Sequence, residues 1–183
     1  MHLTDIIESR TPIAIHFKPI QLTVGYFLLV EIGAFKINNR KSTNKIDNAY
    51  KPSDSFLTVV HCPITHNDNS HNTTNAVSDN SALMQFKDFV KDNLLIVYKS
   101  ETADKFSTIK QLYRQLDNPF LNTLEIAKSI FRDKIQDYSI DRLLSIFGIN
   151  ADNENALDMA RSIAKLFVEL AWHDDFAHCQ YFE

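Results

Sequence analysis

The sequence predicts an α/β domain in which a mixed β-sheet carries helices on both faces. Two observations predict it. Apolar runs of strand length dominate the first sixty residues, and helix-length apolar stripes dominate the second half. Strands first, then strands alternating with helices, imply a mixed sheet flanked by helices. With 183 residues the chain is expected to form one domain over 12–172, followed by a tail over 173–183.

Taken in order, residues 12–17 (PIAIHF) form an apolar run bounded by Pro12 and Pro19 and read as a buried strand. Residues 25–37 (GYFLLVEIGAFKI) are β-rich and meet a turn signal at Asn38-Asn39. Residues 42–50 alternate weakly, as the returning strand of a hairpin would. Residues 56–60 start another short strand, ended by His61-Cys62-Pro63. Residues 66–80 (HNDNSHNTTNAVSDN) make a long polar loop. Ser81 is placed to cap a helix whose Leu83, Met84, Phe86, Phe89 and Val90 share a face.

Residues 94–98 read as a buried strand and 104–116 as a helix, with Phe106, Ile109, Leu112, Tyr113 and Leu116 at helical spacing. Residues 123–131 are helical. Ser139 caps a further helix that stops at Gly148, the residue type suited to a left-handed terminus. The strongest periodicity lies in 155–172. There Ala156, Leu157, Ala160, Ile163, Ala164, Phe167, Val168 and Ala171 form one apolar stripe.

Composition narrows the function. Only Gly25, Gly33 and Gly148 are glycines, too few for a Gly-rich phosphate-cradling loop. The net charge of −4 divides into +1 over residues 1–100 and −5 over 101–183, so no strongly basic nucleic-acid face stands out. Lys36, Arg40, Lys41, Lys45 and Lys51 are the one basic concentration and read as a solvated hairpin edge. Two cysteines, Cys62 and Cys179, build no disulfide framework and point to a reducing compartment. The first dozen residues have acids and no apolar core of a secretory signal, and no apolar run is long enough for a membrane span. A cytoplasmic location follows as the expectation. His61, Cys62, His66 and His71 match no standard zinc spacing and read as loop residues, as do His173, Asp174, Asp175, His178 and Cys179 in the tail.

Four segments resemble a known family in its own order: LLVEIGAFKINN (28–39), VHCPIT (60–65), LLIVYKSETADKF (94–106) and the C-terminal third from Leu121 to Phe167. They are similar to the DEDD 3′–5′ exonucleases, the family of the proofreading epsilon subunit of bacterial DNA polymerases. The resemblance implies a ribonuclease H-like fold. It also implies a site where four carboxylates hold two Mg²⁺ ions that activate water for phosphodiester cleavage.

At the positions that match the family's motif, this chain carries other residues. The two first-strand acids fall on His16 and Lys18, the acid of the strand-to-helix joint on Ala103, the general-base histidine on Glu154 and the last acid on Met159. The His and Asn of the joint fall on Tyr98 and Lys99. An ammonium roughly 4 Å from a divalent cation repels it by several kcal/mol even when well screened. The resemblance therefore implies a degenerate, non-catalytic domain without a metal cofactor, retained to bind a protein or a single-stranded nucleic acid. In the nucleic-acid version, His16, Lys18, Tyr98 and Lys99 contact the strand, with His16 and Lys18 as a cationic floor for phosphate. The alternative is an active Mg²⁺- or Mn²⁺-dependent exonuclease in which Glu101, Asp104, Glu154 and Asp158, with Glu31, supply substitute ligands.

Overall fold

The computed structural model describes residues 10–20, 27–37, 54–63, 80–98, 114–150 and 154–171. The elements are strands β1 (Pro12–Ile20), β2 (Phe27–Lys36) and β3 (Ser55–Pro63), helix α1 (Asn80–Val90), strands β4 (Leu94–Val97) and β5 (Phe120–Asn122), and helices α2 (Thr123–Phe131), α3 (Ile140–Ile146) and α4 (Ala156–Ala171). A 3₁₀ turn, Arg132–Lys134, follows α2. The strands form one sheet in the order β3-β2-β1-β4-β5. β1, β2 and β3 run antiparallel, whereas β4 and β5 join parallel to β1 and to each other. This is the mixed, ribonuclease H-like sheet that the sequence predicts.

Each face of the sheet buries its own core, because alternate strand residues point to opposite sides. Ile13, Ile15, Phe17, Val30, Ile32, Ala34, Leu95 and Val97 pack with Phe86 and Val90 of α1. On the other face Ala14, Phe35, Leu94 and Ile96 pack with Ile126 and Ile130 of α2, Leu143 of α3, and Ile163, Leu166, Phe167 and Leu170 of α4. β4 is buried at all four positions, which is why its sequence, LLIV, is apolar without alternation.

Several expected boundaries move. β1 continues past Phe17 to Ile20, since its pairing with β2 runs to Ile20↔Leu29. Pro19 is tolerated there because the pairing of β1 with β4 has already ended at Ala14. β3 does not stop before His61-Cys62-Pro63: the ladder to β2 continues through Phe27↔Pro63. Helix α1 begins at Asn80, so Ser81 is its second residue rather than its cap. β5 is only three residues long, too short for any periodicity to announce. Ser139 does cap α3, its hydroxyl accepting from the Arg142 N–H at 3.4 Å, and Gly148 ends it with φ +64°. The expected strand at 42–50, the polar loop at 66–79 and nearly all of the helix at 104–116 lie outside the described residues, as does the tail.

Candidate functional site

The register of the antiparallel strands brings two cross-strand rows to one end of the sheet, on the face covered by α4. His16 stands opposite Gly33, which stands opposite Leu57; Lys18 stands opposite Glu31, which stands opposite Val59. The period of two that sends Ile13, Ile15 and Phe17 into the core with α1 sends Ala14, His16 and Lys18 to the other side.

The start of α4 rests directly on these rows. A Cβ added at Gly33 would overlap the carbonyl carbon and oxygen of Ala156 and the nitrogen of Leu157. Gly33 is thus the residue that lets helix backbone lie against strand backbone. Beside it the Glu31 carboxylate accepts a hydrogen bond from the Ala156 N–H at 2.7 Å. From β1 the Lys18 ammonium donates to the Glu154 carbonyl at 2.5 Å. Asn155 completes the helix start, its side-chain oxygen accepting from the Asp158 N–H at 2.9 Å. Two otherwise orphaned helix donors are satisfied, one by a local cap and one by a carboxylate 125 residues away in sequence.

Lys18, Glu31 and Asp158 around this helix start are engaged within the protein, whereas the Glu154 side chain is exposed. Asp158 pairs with Arg161 at 3.3 Å. The Arg161 guanidinium also lies over the Phe35 ring, 5.7 Å from its centroid. His16 is neutral at neutral pH: burial, aided by the neighbouring Lys18 ammonium, pushes its imidazole down to about 4. Met159 is half-buried and packs against the core beneath α4.

Tyr98, at the end of β4, is turned away to another partner. Its hydroxyl donates to the Tyr138 carbonyl at 2.5 Å, and the Tyr138 hydroxyl donates in turn to the Arg132 carbonyl. Burial, then the Asp137 and Asp141 carboxylates, push the Tyr98 phenol up to about 12.

The structure therefore gathers His16, Lys18 and the Glu154 carbonyl at one point, while Asp158 and Met159 follow on the first turn of α4. Lys99, Glu101, Ala103 and Asp104 lie outside the described residues. Among the described residues no group of three or more His, Cys, Asp or Glu side chains is arranged to hold a metal ion. The roles of Gly33 and Asn155 were not read from the sequence. A glycine two residues after the acid on an otherwise apolar strand was the available signal for the first, and an Asn three residues before Asp158 for the second.

A mixed sheet in the order β3-β2-β1-β4-β5, with a C-terminal helix docked on the end of its first strand, is a ribonuclease H-like α/β arrangement. The sequence model of the exonuclease family (RNase T) matches residues 21–167, and the chain belongs to that family. The chain is 27% identical over 148 residues to a PolC-type DNA polymerase III of Caldanaerobacter subterraneus subsp. tengcongensis, covering 78% of this chain and 10% of that protein. It is 24% identical over 171 residues to a PolC-type DNA polymerase III of Thermotoga petrophila, covering 88% of this chain and 12% of that protein. The chain thus spans about a tenth of the length of these curated relatives.

Proposed function

We propose that this exonuclease-family domain is catalytically inactive and serves as a binding module for a protein partner. One observation carries the reading. Where the family resemblance expects two metal-binding acids, the strand presents a neutral imidazole and an ammonium that is bonded to the start of α4. A divalent ion placed there would meet a fixed positive charge instead of two carboxylates, and the Coulomb term is strongly unfavourable. Two of the five candidate substitute ligands are engaged, Glu31 with the Ala156 N–H and Asp158 with Arg161; the Glu154 side chain is exposed, and Glu101 and Asp104 lie outside the described residues.

A protein partner is favoured over a nucleic acid by the state of three of the four groups expected to contact the strand, Lys99 lying outside the described residues. Lys18 donates to Glu154, Tyr98 donates to Tyr138, and His16 carries no charge. Strand β3, which is at the sheet edge among the described residues, has by contrast no Lys, Arg, Asp or Glu from Ser55 to Pro63, and Leu57 and Val59 are 46% and 43% exposed. Uncharged edges with exposed apolar residues suit contact with protein. Among the described residues no helix is long and apolar enough to cross a membrane.

The test is a labelled single-stranded oligonucleotide incubated with the chain in Mg²⁺ or Mn²⁺. The reading expects no shortening and no EDTA-sensitive retention. Shortening that EDTA abolishes and that Asp158→Asn or Glu31→Gln reduces would establish the active alternative. Salt-sensitive binding without cleavage would move the partner to nucleic acid.

A further inference from the structure

Among the described residues β3 ends the sheet, with β2 as its one neighbour. Alternate residues of such a strand turn their N–H and C=O away from the sheet, where a further strand can pair with them. Edges are usually blunted by lysine, other charges or proline. β3 has no charged residue, and its one proline, Pro63, is the last residue of the strand. Alternation sends Phe56 against Phe86 and Phe89 of α1 and leaves Leu57 and Val59 exposed on the α4 side. The strand is also symmetric in kind about Thr58: the apolar pair Phe56 and Leu57 precedes it, and the apolar pair Val59 and Val60 follows.

We propose that this edge pairs with β3 of a second copy of the chain, antiparallel and two-fold about Thr58, joining two five-stranded sheets into one continuous sheet. The inference rests on the reading of the domain as a protein-binding module and names the partner. In this register Leu57 of each copy lies opposite Val59 of the other, so exposed apolar groups cover one another. Thr58 lies opposite its own counterpart, a favourable cross-strand pair. A two-fold about Val59 would instead set Leu57 against His61, an apolar side chain against an imidazole. Charge agrees with the first register. Asp54, next to the strand, falls opposite Cys62 of the other copy, and no like charges meet. An isologous contact of this kind closes after two copies, so an unblunted edge need not lead to open-ended assembly.

Analytical ultracentrifugation of the full chain tests this. Taken from about 1 to about 100 µM, the unmodified chain should pass from monomer to a species of twice the mass. Leu57→Glu and Val59→Lys should each weaken association at least about tenfold, because each buries a charge against an apolar side chain. Both positions are exposed, so the fold should survive, and circular dichroism checks that. An equimolar mixture of the two variants should recover the dimer. The new carboxylate then faces the new ammonium, while Leu57 and Val59 still meet on the other rung. A unmodified chain that stays monomeric overturns the proposal and leaves the edge to a different protein or to another segment of this chain. A dimer that both variants leave intact overturns it as well, as does a mixture that stays monomeric. Oligonucleotide cleavage by the unmodified chain would instead sink the non-catalytic reading, so the two failures are distinguishable.

Discussion

Lys18 and Glu31 face each other across the β1–β2 ladder and hold the two consecutive peptide groups that flank Asn155 at the start of α4, the lysine through the Glu154 carbonyl and the glutamate through the Ala156 N–H. On the non-catalytic reading proposed above, Lys18 belongs to an internal structural joint instead of a metal-binding edge. The chemistry of the residues fits that role. A carboxylate satisfies a helix N–H that has no partner of its own, and an ammonium satisfies a carbonyl that the helix leaves behind.

Glu31→Ala should destabilise the fold by about 1–2 kcal/mol, the usual cost of removing a carboxylate acceptor from a helix N-terminus. Glu31→Gln keeps the acceptor oxygen and loses the charge, so it should cost less than the alanine change. Urea unfolding of the three proteins measures both. Equal stability of Glu31→Ala and the unmodified chain would show that water replaces the carboxylate without loss.

Gly33→Ala should be more damaging. The added methyl overlaps the backbone of Ala156 and Leu157, and backbone cannot swing aside as a flexible side chain can. Either α4 lifts from β2, breaking the bond to Glu31, or the strand distorts. A loss of about 2–4 kcal/mol is expected, at the upper end for single substitutions and in the class of overpacking. Thermal unfolding reads the loss, and a melting temperature within a degree of the parent would contradict this contact.

Tyr98→Phe removes the donor to the Tyr138 carbonyl and should cost about 1 kcal/mol or somewhat more, because the bond is partly buried. The same hydroxyl gives an alkaline signature, set by burial first and then by the Asp137 and Asp141 carboxylates. Since the folded phenol is raised to about 12 from the ordinary 10.0, the native state keeps a proton that the unfolded chain releases between those values. Stability should therefore fall as pH rises from 10 towards 12, and that slope should flatten in Tyr98→Phe. Ultraviolet titration of tyrosine ionisation, compared between the two proteins, checks the assignment.

Much of the fold was legible because hydrophobic period carries it. The 16-residue helix Ala156–Ala171 follows a stripe of Ala, Ile and Phe, and the all-buried β4 follows an uninterrupted LLIV. The capping of α3 by Ser139 and its end at Gly148 were also readable, since those residue types have local reasons to be there. What escaped depends on distant partners. β5 is a strand only because Phe120 to Asn122 lie beside β4, and β1 outlasts Pro19 only because β2 continues to pair with it. In the candidate site, the residue types at His16 and Lys18 were readable, as was their shared face. That Lys18 reaches Glu154, and Glu31 reaches Ala156, depends on how α4 docks, which no local pattern specifies.

His16 supplies an acid-side prediction. Its folded value, about 4, lies below the ordinary 6.5, because burial and the Lys18 ammonium both oppose a second positive charge. Between those two values the unfolded chain binds a proton that the native chain refuses. Stability is therefore unaffected by this group above pH 6.5, falls as pH drops from 6.5 towards 4, and levels off below that. The whole step amounts to about 3 kcal/mol, since each unit of difference is worth about 1.4 kcal/mol. Carboxylates titrate at the lower end of the same window, so the comparison must be made against His16→Gln, which has no proton to gain. Urea midpoints measured from pH 7 to pH 5 should fall more steeply for the unmodified chain than for His16→Gln. Parallel curves would mean that His16 is protonated in the folded protein, and a charged imidazole beside Lys18 would restore the cationic floor that phosphate contact requires.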